Sequence, residues 1–310
     1  MDRTKIAVAP ETRPAMYAAM RDAAIEAGAE IVPVEQASAL MWADPLNPGE
    51  FPGVVASGQS LGWVQLPFAG IENFVGQLDG RLIWTCGKGV YADPVAEHVI
   101  TLTLAGFRYL HISIPATSWP AQEGRNLLGA NVVIVGAGGI TESLVRLLEP
   151  WRTHVSVIRR QSTPMAGVER TVAQSDEAAM HELLAGADVV VIAAALTPET
   201  TGMVDAAFLD AMAEDAWLIN VGRGAHVDND ALLDALRAGL IGGAALDVTT
   251  PEPLPDGHPL WDEANCIITP HVANTPEMGL PLIANRVRIN VARWIAGDEL
   301  DGLVDVEAGY

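Results

Sequence analysis

The 310-residue sequence predicts an α/β protein built from two doubly wound parallel-sheet domains. Three observations predict it. Short, β-branched apolar runs alternate with segments of helical periodicity along most of the chain, the pattern of parallel strands covered on both faces. The length is about two domains' worth. Residues 131–160, NVVIVGAGGITESLVRLLEPWRTHVSVIRR, bring strand, glycine turn, helix and second strand together in one short unit.

In the first domain, strands are expected at residues 6–9, 31–34, 54–57, 64–66 and 82–85, and a first helix from Arg13 to the C-cap glycine Gly28. No glycine-rich turn opens a helix here, so this domain is read as the substrate side. Pro94 stands in the first turn of a helix whose apolar positions include Val95, Val99, Leu102 and Leu104. A hinge is expected at residues 97–100. A passage rich in Pro, Trp and polar residues, 115–129, leads into the glycine unit. Further strands are expected at 188–193, 217–220, 243–247 and 266–269, with a capped amphipathic helix DALLDALRA (230–238) ahead of Gly239. A last helix, 280–295, precedes a tail that returns to the first domain. The expected division is residues 1–99 plus 281–310 for the substrate side and 100–280 for the other domain.

The glycine unit carries chemistry. Gly136, Gly138 and Gly139 follow a buried strand and open a helix, so backbone N–H groups at the helix N-terminus can meet a pyrophosphate that side chains would otherwise block. Thr141 stands where the third glycine of G-x-G-x-x-G would be, which predicts slightly looser packing of helix on strand. The second strand of the unit ends in Arg159 and Arg160. A carboxylate at that point would take the ribose hydroxyls of NAD; two guanidiniums pair instead with the 2′-phosphate of NADP. NADP(H) is therefore the preferred cofactor, with NAD(H) possible.

Composition narrows the classes of partner. Half the residues are apolar and 18% are charged, which fits a compact enzyme and not a disordered chain. The formal charge of −21 repels nucleic acid and anionic membrane surfaces alike. Cys86 and Cys266 make neither a metal-ligand spacing nor a disulfide framework and read as buried free thiols, and no metal is expected. MDRTKIAVAP enters a strand without a signal-peptide core, and apolar runs such as 99–102 and 189–196 are too short to cross a bilayer. The expectation is a cytoplasmic chain.

Three stretches stand at expected strand ends, where open α/β sheets place their ligands: NVGRG (220–224), ALDVTTPEP (245–253) and ITPHVA (268–273). With these, and over nearly its whole length, the chain resembles the D-isomer-specific 2-hydroxyacid dehydrogenases. Within them it is most similar to the glyoxylate/hydroxypyruvate reductase A branch, by TPHVA, the arginine pair, PLW (259–261), and Val304, Asp305, Gly309 and Tyr310 near the C-terminus. The resemblance implies a Rossmann-type nucleotide domain beside a flavodoxin-like one, and a homodimer built through the nucleotide domains. It implies a catalytic trio of Arg223, Glu252 and His271.

The chemistry agrees with that trio. A guanidinium can hold a carboxylate and polarise a carbonyl oxygen. An imidazole titrates near neutral pH and can deliver a proton to the alkoxide that forms. A paired carboxylate orients the ring and favours its charged form. The glycines beside Arg223 are expected to give a ligand close backbone access, and His226 is expected to face solvent. The resemblance further implies cofactor contacts at Ile140, Leu196, Thr197, Thr201, Val221, Gly222, Asp247 and Ala273. In LPFAGIEN (66–73) it implies a substrate carboxylate held by the amides of Ala69 and Gly70, with Phe68 as a pocket wall. That loop lacks the basic residue a phosphorylated acid would want, Lys88 being the nearest in sequence, so the expected substrate is a small 2-keto acid such as glyoxylate or hydroxypyruvate. The alternatives are an NAD-dependent 3-phosphoglycerate dehydrogenase of the same family and, from another class, a dinucleotide-sensing interaction protein with little turnover.

Overall fold

A computed structural model describes residues 2–306; Gly309 and Tyr310 lie outside the described residues. The chain divides into two compact units, one formed by residues up to 91 together with those from 274 on, the other by residues 92–273.

The first unit opens with strand β1 (Lys5–Ala9), helix α1 (Pro14–Glu26), a two-residue strand β2 (Glu30–Ile31), β3 (Ala39–Trp42), helix α2 (Phe51–Ser57), β4 (Trp63–Gln65) and β5 (Ile83–Thr85). The strands form one parallel sheet in the order β2-β1-β3-β4-β5, the flavodoxin-like arrangement. Successive side chains alternate between its faces. Ile6, Val8, Ala39, Met41 and Trp63 join one apolar cluster. Ala7, Leu40, Trp42 and Val64 join the other, where the Phe51 ring meets Trp42, Phe74 and Trp84.

Two expectations fail here. Residues 54–57 are helix, not strand: Pro52 stands in the first turn of α2 and buried Phe51 anchors it among the aromatics, so packing overrides the β-branched Val54 and Val55. The central strand β3 was not expected, because ALMW is buried on both faces and carries neither alternation nor β-branched residues. The expected strand at 31–34 is only β2, followed by a single 3₁₀ turn at Val34–Gln36.

The second unit runs α3 (Ala92–Phe107), α4 (Leu110–Ser113), β6 (Asn131–Val135), α5 (Gly139–Leu148), β7 (His154–Arg159), β8 (Arg170–Ala173), α6 (Glu177–Ala185), β9 (Val189–Ile192), α7 (Ala206–Asp210), β10 (Trp217–Asn220), α8 (Asn229–Ala238), β11 (Gly243–Leu246) and β12 (Cys266–Ile268). Its seven strands are all parallel, in the order β12-β11-β10-β9-β6-β7-β8. The strand order reverses at β6, between β9 and β7, and the glycine turn stands at that switch point. Strand β8 was not expected; it is an edge strand in which only Val172 is buried. The caps of α8 are those the residues dictate: the Asp228 carboxylate accepts from the amides of Asp230 and Ala231, and Gly239 closes the helix at φ 66°. The expected hinge at 97–100 falls inside α3, where Val99 is buried, and the expected boundary at 280/281 falls inside the last helix.

The chain then returns to the first unit. Helix α9 (Pro276–Ala296) lays Ile283, Val287, Val291 and Trp294 on one face of the five-stranded sheet. It begins four residues earlier than expected, at Pro276, with Pro281 inside it. Buried Asn290 donates to Gln65 Oε1 and to the Asp301 carbonyl, and accepts from the Asp301 amide. Gln65 Oε1 also takes the hydroxyl of buried Thr85. The tail bridges β5 through Thr85 and Leu303, as expected of a returning segment. Every polar atom in this chain of contacts finds a partner that desolvation would otherwise make costly to lose.

Candidate active site

Four strand ends of the second unit carry the residues singled out in the sequence. β6 leads into the glycine turn, β10 ends at Asn220, and Asp247 and Thr269 directly follow β11 and β12.

At the turn after β6, Gly136 has φ 115°. A Cβ there would lie 2.5 Å from the Ala193 carbonyl oxygen, so glycine is needed for the approach of two strand ends. Gly138 differs: a Cβ would meet no protein atom within 4 Å. The space in front of Gly138, at the N-terminus of α5, is what a pyrophosphate requires. Gly139 and Ile140 begin α5 itself. The expectation of looser packing at Thr141 is not met: the residue is fully buried, and its hydroxyl donates to the Gly136 carbonyl at 2.9 Å. Threonine thus ties the helix back to the turn. At the end of β7, Arg159 is half-buried and donates to the Thr163 carbonyl, while Arg160 is exposed. This turn, helix end and basic pair fit an NADP-type dinucleotide.

After β10, Asn220 organises the next turn. Its Oδ1 accepts from the Gly222 amide at 3.1 Å and its Nδ2 donates to the Arg223 carbonyl at 2.9 Å. Val221 is buried beneath, its amide donating to the Ile192 carbonyl. Arg223 is extended, and Nη1 donates to the Gly222 carbonyl at 2.7 Å. Gly224 does not open access for a ligand. A Cβ there would fall 2.0 Å from the Thr249 backbone, so the glycine serves contact between the turn and the loop after β11.

His226, expected in solvent, is fully buried. Its Nδ1 lies 3.0 Å from both the amide and the carbonyl of Arg223, and its Nε2 lies 3.4 Å from the Ala195 carbonyl. The signal was its spacing, three residues after an arginine in a tight turn. Near it, Thr200 takes the organising role in the 196–201 loop: its hydroxyl donates to the Ala195 carbonyl and accepts from the Thr197 amide. The Thr201 hydroxyl is used on the Thr197 carbonyl, and Leu196 is half-buried.

The loops after β11 and β12 bring two residues of the expected trio together. His271 Nδ1 lies 2.6 Å from Glu252 Oε1, with both side chains roughly half exposed to solvent. Beneath them sits Asp247, 2% exposed. Its Oδ1 accepts from the Thr269 hydroxyl (2.6 Å) and the Val272 amide (2.9 Å), and its Oδ2 from the Ala273 amide (3.0 Å). Burial alone would raise the Asp247 pKa, but hydrogen bonds from His98, Thr269, Val272 and Ala273 outweigh it and hold the carboxyl at about 2. The Asp247 carbonyl accepts from the His271 amide at 2.9 Å. His271 itself has φ 53°, a left-handed conformation that such a set of bonds must maintain. Of the residues expected at the cofactor, the Ala273 amide donates to Asp247, a residue read from the sequence as structural or near the nicotinamide. His98 was missed altogether, since in sequence it reads only as a polar position on an apolar helix.

The 66–73 loop belongs to the first unit. Its carbonyls are held from behind: Pro67 by the Tyr91 hydroxyl (2.7 Å), Phe68 by the Gly87 amide (2.9 Å) and Ala69 by the Cys86 thiol (3.7 Å). No acceptor among the described residues takes the amides of Ala69 or Gly70. Phe68 stands edge-on to Tyr91. Arg286, not foreseen, donates to the carbonyls of Cys86 and Lys88. Cys86 is buried, whereas Cys266 is only half-buried; burial raises both thiols, Cys266 to about 12. Among the described residues no cluster of His, Cys, Asp or Glu could hold a metal, and no helix is long and apolar enough to cross a membrane.

Comparison with known proteins agrees with this geometry. Residues 99–273 match the model of the D-isomer specific 2-hydroxyacid dehydrogenase NAD-binding domain. The human glyoxylate reductase/hydroxypyruvate reductase is 37% identical over 69% of this chain and 65% of its own. The glyoxylate/hydroxypyruvate reductase A of Serratia proteamaculans is 30% identical over 71% and 69%. Among solved structures, a D-isomer specific 2-hydroxyacid dehydrogenase from Xanthobacter autotrophicus in complex with NADPH and MES superposes with a TM-score of 0.84, at 26% identity, over 99% of both chains. This chain belongs to the D-isomer-specific 2-hydroxyacid dehydrogenase family.

Proposed function

We propose that the protein reduces small, unphosphorylated 2-keto acids such as glyoxylate and hydroxypyruvate to D-2-hydroxy acids with NADPH, and that Arg223, Glu252 and His271 carry the reaction. The observation behind this reading is the 2.6 Å contact of His271 Nδ1 with Glu252 Oε1, on loops that follow adjacent parallel strands. Bound NADPH supplies the hydride. The protein's own part is to place the acid and move a proton. A carboxylate accepts only, so Nδ1 of His271 keeps its proton and Nε2 is the nitrogen that gives one to the developing alkoxide. Glu252 fixes the tautomer and orientation of the ring. The Arg223 guanidinium holds the substrate carboxylate and polarises the carbonyl. In the first unit, the amides of Ala69 and Gly70, with Phe68 beside them, are donors of the kind a carboxylate takes. Gly138, Gly139 and Ile140 would hold the pyrophosphate, and Arg159 and Arg160 the 2′-phosphate.

The test is loss of reduced-nicotinamide absorbance, with NADPH and NADH run in parallel on glyoxylate, hydroxypyruvate, pyruvate and phosphohydroxypyruvate. Faster oxidation of NADPH with an unphosphorylated acid is expected. Preference for NADH with the phosphorylated acid would make the chain a phosphoglycerate dehydrogenase instead. Tight NADPH binding without turnover would make it a sensor. Replacing Arg159 with Glu should cut the NADPH-to-NADH preference roughly tenfold or more, the worth of a charge-assisted bond.

We further propose that the protein acts as a homodimer through its second unit. Leu110, Ile112, Ile114 and Trp119 are all exposed within ten residues, Ile114 at 78% and Trp119 at 88%. Light scattering of the Ile114→Asp variant should show a monomer where the parent protein is a dimer.

A further inference from the structure

Asp247 has a hidden second tie. The three donors described to its carboxylate all come from one short segment, residues 269–273. The remaining side chain on it comes from elsewhere: His98, in the second turn of α3, places Nε2 3.3 Å from Asp247 Oδ1 and 3.2 Å from Thr269 Oγ1. The Thr269 hydroxyl proton is already given to Asp247, and an ionised carboxylate has none to give. Both atoms facing His98 are therefore acceptors, and Nε2 carries the proton.

Consecutive amides of residues 271, 272 and 273 end on the carbonyl and carboxylate of Asp247. Whatever fixes the Asp247 side chain thereby fixes the left-handed backbone of His271, and with it the ring that meets Glu252. The Asp247 amide, donating to the Asn220 carbonyl, ties the same residue to the turn bearing Arg223. His98 alone among the described side-chain donors anchors this centre to a helix outside the strand ends.

Building on the dehydrogenase reading, we infer that His98 is a positioning residue: through the Asp247 carboxylate and the Thr269 hydroxyl it locks the 269–273 segment, and so sets the imidazole of His271 for proton transfer. The groups that can titrate around the centre are His98 on α3, Asp247 after β11, Glu252 in the following loop and His271 after β12.

The experiment compares His98→Phe, which keeps the ring volume and removes the donor, with His98→Gln, whose amide restores a donor near the Nε2 position. The full chain is used throughout, with steady-state kinetics, thermal unfolding, and the ring-nitrogen chemical shifts of His271 in histidine-labelled protein. Assignment of those shifts comes from their loss in His271→Gln. His98→Phe should lower kcat roughly ten- to a hundredfold with little change in KM, the cost of a displaced reacting group. It should also move the His271 ring shifts, and His98→Gln should recover most of both. If His98→Phe unfolds at a lower temperature yet leaves kcat and the His271 shifts as they were, His98 is a packing residue and the inference falls. It falls equally if nothing changes. A parent protein without turnover would remove the dehydrogenase reading, while the His271 shifts would still decide whether His98 sets the ring.

Discussion

In the first unit β1, β3 and β4 run out into Pro10, Ala43 and Leu66; the Asp44 carboxylate takes Thr12 and Arg13 across the first two loops, and in the third the carbonyls of Pro67, Phe68 and Ala69 are tied down from behind. In the second, β6, β10, β11 and β12 run out into Gly136, Asn220 and its turn, Asp247 and Thr269. The two sheets share their all-parallel construction. What separates them is a handful of residues past the last hydrogen-bonded pair of each strand. There a turn either exposes backbone donors, as at Gly138 and at Ala69, or spends side chains on holding another loop, as at Asp247. Fold is common to both units, and chemistry belongs to the strand ends.

The largest way to break that contrast is at His271. His271→Gln should reduce turnover roughly 10²- to 10⁴-fold, the range for a lost general acid. NADPH binding, followed by fluorescence titration, should stay near the parent value. Weakened binding of the same size would mean that the ring serves the cofactor.

Next come the two glycines with opposite surroundings. Gly224→Ala drives a Cβ into the Thr249 backbone and should cost about 2–3 kcal/mol of stability in denaturant unfolding. Gly138→Ala meets no protein atom, so its unfolding curve should overlay that of the parent. NADPH binding should weaken roughly tenfold, because the methyl group enters the pyrophosphate space. A stable Gly138→Ala protein with undiminished binding would show that the cofactor lies elsewhere.

The smallest effect is acid stability. With the Asp247 carboxyl at about 2 in the folded chain and 3.8 as its ordinary value, the unfolded state binds the proton more readily. The resulting stabilisation is complete above the ordinary value and is lost as pH falls through about 2, a loss of about 2 kcal/mol. Asp247→Asn should lack that component of the acid transition, and parallel denaturation series at several pH values would reveal it.

How much of this was legible in the sequence depended on whether the signal was local. β6, its glycines and α5 were readable because turn, cap and periodicity lie within a few residues of one another. The caps of α8 were readable for the same reason, and the His271–Glu252 partnership followed from motif positions. α2 was misread because its Phe51 is held by Phe74 and Trp84, distant in sequence, and β3 because ALMW carries neither alternation nor β-branched residues. His226 had its spacing from Arg223 as a signal, whereas His98 reads as an isolated polar residue that only the folded chain puts on Asp247. The division at 91/92 was placed too late, at 99/100, inside the apolar pattern of α3, which begins at Ala92.

The return of α9 to the first sheet has a bearing on how the chain is made. One face of that sheet, with Ile6, Val8, Met41 and Trp63, is completed only by Ile283, Val287, Val291 and Trp294. All of residues 92–273 are translated in between. At ribosomal rates of about 5–20 residues per second, an apolar surface waits on the order of ten to forty seconds for its cover. The second unit has its seven strands in one uninterrupted stretch and is under no such delay. During synthesis residues 2–91 therefore emerge before the second unit and are completed after it.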